Sequence, residues 1–157
     1  MRIGFGTDIH RLVAGRPLII GGVAVQSESG ADGHSDADVL MHAAADAVLG
    51  AMALGDLGTH FPADDEKWRD AESAQFLVYA ITLAKEKGYT VGNLVSVVHL
   101  ERPKLRPHIN AMRANLAAAL DVDISRVSVK AKTGEGVDSV GQGLAVSAQV
   151  IVLLIKN

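Results

Sequence analysis

The run from Leu144 to Ile155 constrains the fold more than any other segment. It is the longest apolar stretch in the chain, broken by Ser147 and Gln149, and too short to cross a bilayer as a helix. It reads as a long β-strand with apolar residues on both faces, which predicts burial on both sides. Further strands are expected at 2–10, 93–100 and 127–132, with two short ones around Gly21-Gly22 within Pro17–Val25. The Ala-rich run to Ala53 reads as a helix, with Ser35 as N-cap and Asp36 and Asp38 in the first turn. Gly55 to Asp65 reads as a loop. Asp70 to Lys87 has helical periodicity and stops at Gly88, and Pro107 to Leu120 forms a helix with proline in its first turn. This order predicts an α+β fold: a ferredoxin-like/βαβ sandwich, with a mixed sheet carrying helices on one face. No repeat or Pro/Ser-rich linker divides the 157 residues, which read as one domain, 1–157.

Cysteine is absent, so disulfides, thiol nucleophiles, Cys-type zinc fingers and iron–sulfur clusters are excluded together. Any metal must be held by His, Asp or Glu. A net charge of −3 and 4% aromatic residues argue against a nucleic-acid protein that relies on bulk positive charge or base stacking. The N-terminus carries no apolar signal core, and the expectation is a cytoplasmic protein without membrane or nucleic-acid partners, or a plastid one if a transit peptide has been removed. Charge is split along the chain. Residues 8–72 hold twelve Asp/Glu against four Lys/Arg, whereas residues 99–132 hold seven Lys/Arg against three Asp/Glu. An acidic half suited to cations precedes a basic stretch suited to anions.

Asp8 and His10 sit two apart on an expected strand, so period-two alternation puts both on one face. His34, Asp38 and His42 follow at intervals of four, and Asp46 extends the line by a turn. Two ligands from a strand and one from a helix fit an open catalytic zinc site, and an Asp/His set suits Zn²⁺ or Mn²⁺ better than Ca²⁺. Asp38 or Asp46 would supply a second shell for His42. Asp38 and His42 equally fit an i,i+4 surface pair. His60, His99 and His108 have no partner spacing and read as structural or solvent-facing. In the basic half, Glu101 to Pro107 forms a rigid proline-bounded loop. Lys130 to Gly136 leaves a strand into a glycine-bearing turn where amides approach an anion, and it also fits a plain strand-end turn.

Together these segments resemble the 2-C-methyl-D-erythritol 2,4-cyclodiphosphate synthases of the non-mevalonate isoprenoid pathway. The resemblance runs from Arg2 to the C-terminus. It is carried by Asp8-Ile9-His10, by Pro17 to Val23, by Gly33-His34-Ser35-Asp36-Ala37-Asp38-Val39 leading to His42, and by Ala53 to Gly58 leading to Phe61-Pro62. Pro103-Lys104, Pro107-His108-Ile109 and Val129 to Thr133 leading to Glu135 complete it. The resemblance implies a phosphorus–oxygen lyase in which the 2-phosphate of a cytidine-diphosphate-linked substrate attacks the β-phosphorus and CMP leaves. It implies zinc on Asp8, His10 and His42, and a second divalent ion, Mg²⁺ or Mn²⁺, on Glu135. His34, Ser35, Asp56, Gly58, Phe61 and Asp65 would surround the methylerythritol phosphate. Leu100, Pro103, Lys104, Leu105, Arg106, Ala131, Lys132 and Thr133 would hold the cytidine and diphosphate, with His34 and Thr133 stabilising the transition state. It further implies a homotrimer with active sites between subunits. Ser139, Gln142 and Leu144 depart from the family's usual Phe, Arg and Glu, and Ala63 stands where some members have Asp. Without the resemblance, a zinc phosphohydrolase using the same ligands and a non-catalytic nucleotide-binding module remain open.

Overall fold

The computed structural model describes residues 1–62 and 65–157, so the departure at Ala63 lies outside the described residues. The run that ends the chain becomes β7 (Ala145–Lys156), and it is the middle strand of a five-stranded sheet ordered β4-β1-β7-β5-β6. Its neighbours β1 (Arg2–Ala14) and β5 (Tyr89–His99) both pair with it antiparallel, and β6 (Val127–Lys132) adds parallel to β5. β4 (Ser29–Ala31) extends the far edge, while β2 (Leu18–Ile20) and β3 (Val23–Val25) form a separate hairpin around Gly21-Gly22. The helices are α1 (Val39–Ala51), the one-turn α2 (Leu57–His60), α3 (Ala74–Glu86) and α4 (Ile109–Leu120). α1 packs on β1 and β7, α4 on β6, and α3 against α1, α4 and β5.

The mixed sheet with helices on one face is as the sequence predicts, but the ferredoxin-like order is not. The main strands and helices run β-α-α-β-α-β-β, with β6 and β7 consecutive at the end, instead of β-α-β-β-α-β. Periodicity marks strands but carries no information on which strands pair. Four local differences also stand out. β1 continues to Ala14, past the expected end at residue 10, because β4 pairs with its last turn of backbone. β5 begins at Tyr89 and α3 at Ala74. Asp56 caps a short helix inside the expected 55–65 loop.

β7 is covered on only one side. Val146, Ala148, Val150, Val152 and Leu154 face the helices and are buried. On the outer face Ile151 is 53% exposed, and its β1 neighbours Ile3, Phe5 and Ile9 are 74%, 60% and 59% exposed. The expected two-sided burial is therefore not met within one chain. An apolar sheet face of this kind marks an interaction surface.

The buried face of β1 alternates Gly4, Gly6, Asp8, His10. A Cβ at Gly6 would lie 2.1 Å from the Ala43 carbonyl oxygen, and one at Gly4 would lie 1.8 Å from that of Ala47. The two glycines let the backbone of α1 lie against β1. Gly6→Ala should therefore push α1 outward, costing on the order of 3 kcal/mol and lowering the melting temperature by about 10 °C. Calorimetry checks this, and a melting temperature within about 2 °C of the parent contradicts it.

Candidate metal centre

The close approach of α1 brings His42 over the strand pair Asp8 and His10. Asp8 Oδ2 stands 2.9 Å from His10 Nε2 and 2.9 Å from His42 Nδ1. The two histidine nitrogens are 3.3 Å apart. One ligand-type atom from each residue falls within 4.8 Å of the others, in a partly buried setting. The remaining ring nitrogens are engaged elsewhere. His10 Nδ1 is 2.9 Å from the Asp32 carbonyl, which can only accept, so Nδ1 carries the proton. His42 Nε2 lies 2.7 Å from Ser73 Oγ and 3.2 Å from Ser35 Oγ. The inward nitrogens contact the Asp8 carboxylate, and once they give up their protons the set is two imidazole lone pairs and one carboxylate. This set suits a borderline divalent cation with one coordination position left for a substrate.

The electrostatics agree. Burial alone would raise Asp8, but hydrogen bonds and charge from His10 and His42 hold it well below the usual carboxylate range. Burial alone would lower His10, but Asp8 reverses this and raises it. In the metal-free protein, stability from Asp8 is present above its ordinary value of 3.8 and is lost as pH falls through its depressed one. Stability from His10 is complete below 6.5 and is lost as pH rises through its raised value. Metal binding needs the opposite state of His10, deprotonated. Zn²⁺ affinity, measured by chelator competition, should rise about tenfold per pH unit until His10 has lost its proton and then level off. An affinity constant from about pH 5.5 to about pH 8 would contradict this.

The triad floors a cleft of about 340 Å³ that also gathers His34, Ser35, Asp56, Gly58 and Phe61. His34 Nε2 is 3.1 Å from the Asp65 carbonyl, which orients its ring. The Asp65 side chain turns instead to the Lys67 amide and does not line the cleft. Asp56 is lowered first by the Thr59 hydroxyl and then by the Thr59 amide, so it presents a carboxylate at the mouth. Phe61 packs on Phe76 and Trp68, giving the cleft an apolar wall.

Neither carboxylate expected to support His42 does so. Asp38 is fully buried and is the true N-cap of α1, accepting from the amides of Leu40 and Met41 and from those of Gly21 and Gly22. Ser35, the expected cap, faces His42 instead. Asp46 is raised by its burial; it accepts from the Leu57 amide and so holds α2 at the cleft wall. The groups behind His42 are Ser73 and Asp36, a contact between the residues just before α3 and just before α1 that no local spacing announces. His60 bonds the Leu54 carbonyl and Tyr79, a structural role as expected.

The basic half stays apart from this cleft. Leu100, Pro103, Lys104, Leu105 and Arg106 follow β5, Ala131 and Lys132 end β6, Thr133 and Glu135 follow it, and none of them lines the cleft. β7 and β5 intervene between β1 and β6, which puts the two halves about 14 Å apart at strand spacing. Leu100 and Leu105 are buried, whereas Lys104, Arg106, Lys132 and Thr133 are exposed. The Leu100 amide donates to the Lys132 carbonyl, the Gly134 amide to the Glu101 carboxylate, and the Thr133 hydroxyl to Glu135. Among the described residues, Asp8, His10 and His42 form the group of three metal-type ligands, and Glu135 joins no such group. Ser139, Gln142 and Leu144 are exposed in the loop before β7. No helix among the described residues is long and apolar enough to cross a membrane.

The model of the YgbB family matches residues 1–155. The chain is 57% identical over 149 residues to the 2-C-methyl-D-erythritol 2,4-cyclodiphosphate synthase of Salinibacter ruber, covering 95% of each. It is 52% identical over 157 residues to the synthase of that name from Trichlorobacter lovleyi, covering 100% of each. A solved structure of such a synthase in its CDP-bound form superposes with a TM-score of 0.90 at 40% identity, covering 98% of this chain and 100% of that one.

Proposed function

The chain belongs to the YgbB family, and on that premise we propose that it cyclises 4-diphosphocytidyl-2-C-methyl-D-erythritol 2-phosphate, releasing CMP and 2-C-methyl-D-erythritol 2,4-cyclodiphosphate. It would act as a phosphorus–oxygen lyase of non-mevalonate isoprenoid synthesis, with residues 1–157 as a single domain. A nucleotide-linked substrate goes with a cytoplasmic location. The observation that carries the reading is the convergence of Asp8, His10 and His42 beneath Asp56, Gly58 and His34 in one cleft.

The reaction is intramolecular. An oxygen of the 2-phosphate bonds to the β-phosphorus, the bond from that phosphorus to the bridging oxygen breaks, and CMP keeps the electron pair. No protein nucleophile is required, so positioning and charge neutralisation dominate. Zinc on Asp8, His10 and His42, with Mg²⁺ or Mn²⁺ beside Glu135, would supply Lewis-acid contacts to the phosphate oxygens. His34, Ser35, Asp56, Gly58, Phe61 and Asp65 would enclose the methylerythritol phosphate. The ring of His34, steadied by the Asp65 carbonyl, would meet developing charge on the phosphates. Leu100 to Arg106, with Ala131, Lys132 and Thr133, would hold cytidine and diphosphate, Thr133 acting with His34 on the transition state.

In this reading the enzyme is a homotrimer whose sites lie between subunits. Two observations support it: the metal half and the basic half are about 14 Å apart within one chain, and the outer sheet face exposes the apolar row Ile3, Phe5, Ile9 and Ile151. The test is to incubate the zinc-loaded protein with substrate and Mg²⁺ and follow phosphorus NMR. The cyclic diphosphate and CMP are expected in equal amounts. A linear hydrolysis product would instead identify a phosphohydrolase, and nucleotide binding without turnover a binding module.

A further inference from the structure

We infer that Asp36 and Ser73 act as a positioning pair that fixes which nitrogen of His42 faces the metal, an inference resting on the metal-centre reading above. Ser73 stands at the N-cap of α3 and is fully buried, yet its hydroxyl makes no capping bond. A serine at that position ordinarily accepts from an amide of the first turn, a bond whose loss costs about 1 kcal/mol. Here the hydroxyl has been diverted. Ser73 Oγ donates to Asp36 Oδ1 and lies 2.7 Å from His42 Nε2. The other oxygen of Asp36 accepts the Ser73 amide at 3.0 Å, and Oδ1 also accepts the Asp38 amide at 3.2 Å. Ser35 Oγ stands farther from His42, at 3.2 Å, and accepts the Ala37 amide.

The direction of each bond follows from proton counting. A carboxylate only accepts, so the one hydroxyl proton of Ser73 is committed to Asp36. The contact between Ser73 and His42 must then use a proton on His42 Nε2. That makes Nδ1, which donates to Asp8 Oδ2 at 2.9 Å in the metal-free protein, the nitrogen whose proton a metal ion would displace. Two residues 37 positions apart thus set the ligand atom of a third. An amide at position 36 disrupts the pair in either orientation, through a clash of donors in one and through the proton in the other. Turned one way, its NH₂ meets the Ser73 amide. Turned the other, it meets the Asp38 amide and donates to Ser73 Oγ, whose own proton then turns to Nε2 and drives the imidazole proton onto Nδ1.

The experiment measures Zn²⁺ dissociation constants of the metal-stripped protein, Ser73→Ala, Asp36→Asn and the double variant by competition with a chromophoric chelator. Each single change should weaken binding by about 10- to 100-fold. The double variant should be no more than about threefold weaker than the worse single one, because both act through the same proton. In the zinc-loaded parent, the His42 Nε2 proton should exchange slowly with water and show a cross-peak to the Ser73 side chain; this arm decides the matter if a variant does not fold. A single variant within about threefold of the parent, effects that multiply, or a freely exchanging Nε2 proton overturns the inference. A parent that binds no zinc instead overturns the metal-centre reading, and the pair's role with it.

Discussion

Replacing His42 with alanine is expected to lower CMP release by at least about a thousandfold, equivalent to about 4 kcal/mol of lost transition-state stabilisation. The effect should be chemical, with the fold kept. His42 lies in the first turns of α1, which is rich in alanine, so an alanine there is well suited to the helix. Its ring is only partly buried, and the core beneath α1 is built from Val39, Leu40, Met41 and the small residues beyond them. What is lost is one of the three ligands that meet at Asp8. Two remaining donors hold a divalent cation poorly, and the Asp8 carboxylate, held so low by its two histidines, loses one of them. Metal analysis, circular dichroism and CMP release on the same sample separate the possibilities. A folded variant with activity within about tenfold of the parent would remove the triad from the mechanism.

A second large effect should appear on mixing two dead proteins. Lys132→Ala removes an exposed cation at the end of β6 and leaves the core untouched. It should abolish turnover as a pure protein, as His42→Ala does. In the proposed three-membered ring each site would draw its metal half from one subunit and its basic half from the next. When the two variants are dissociated and reassembled in equal amounts, a junction works only if its first member has His42 and its second has Lys132. About a quarter of the junctions meet both conditions, so about a quarter of the parent activity should return. A mixture as inactive as its components would mean that each site is completed within one chain.

The parts of the site that one element can carry were legible in the sequence. Asp8 and His10 follow from strand alternation, and the helix bearing His42 follows from its alanine run. What could not be read depends on contacts between distant segments. Asp38 looks like a metal-side carboxylate until the hairpin turn at Gly21-Gly22 arrives to claim both its oxygens. Ser73 looks like a helix cap until Asp36 turns its hydroxyl away from that helix. The ferredoxin-like order failed because hydrophobic runs do not say that β7 inserts between β1 and β5. The two-sided burial of β7 failed within one chain for a different reason. Its outer residues are apolar as read, but no helix among the described residues covers them.

β1 carries a consequence for which changes this chain can tolerate. Its even positions hold the two glycines and two metal-facing side chains, and its odd positions, Ile3, Phe5 and Ile9, form the outer apolar face. Deleting or inserting a single residue between Gly4 and Asp8 would put one side of the strand out of phase with the other, because side-chain direction repeats every second residue. Either the isoleucine and phenylalanine before the change would be driven into the backbone of α1, or the carboxylate and imidazole after it would turn outward. Length variation in this stretch should therefore be lethal to folding or to catalysis.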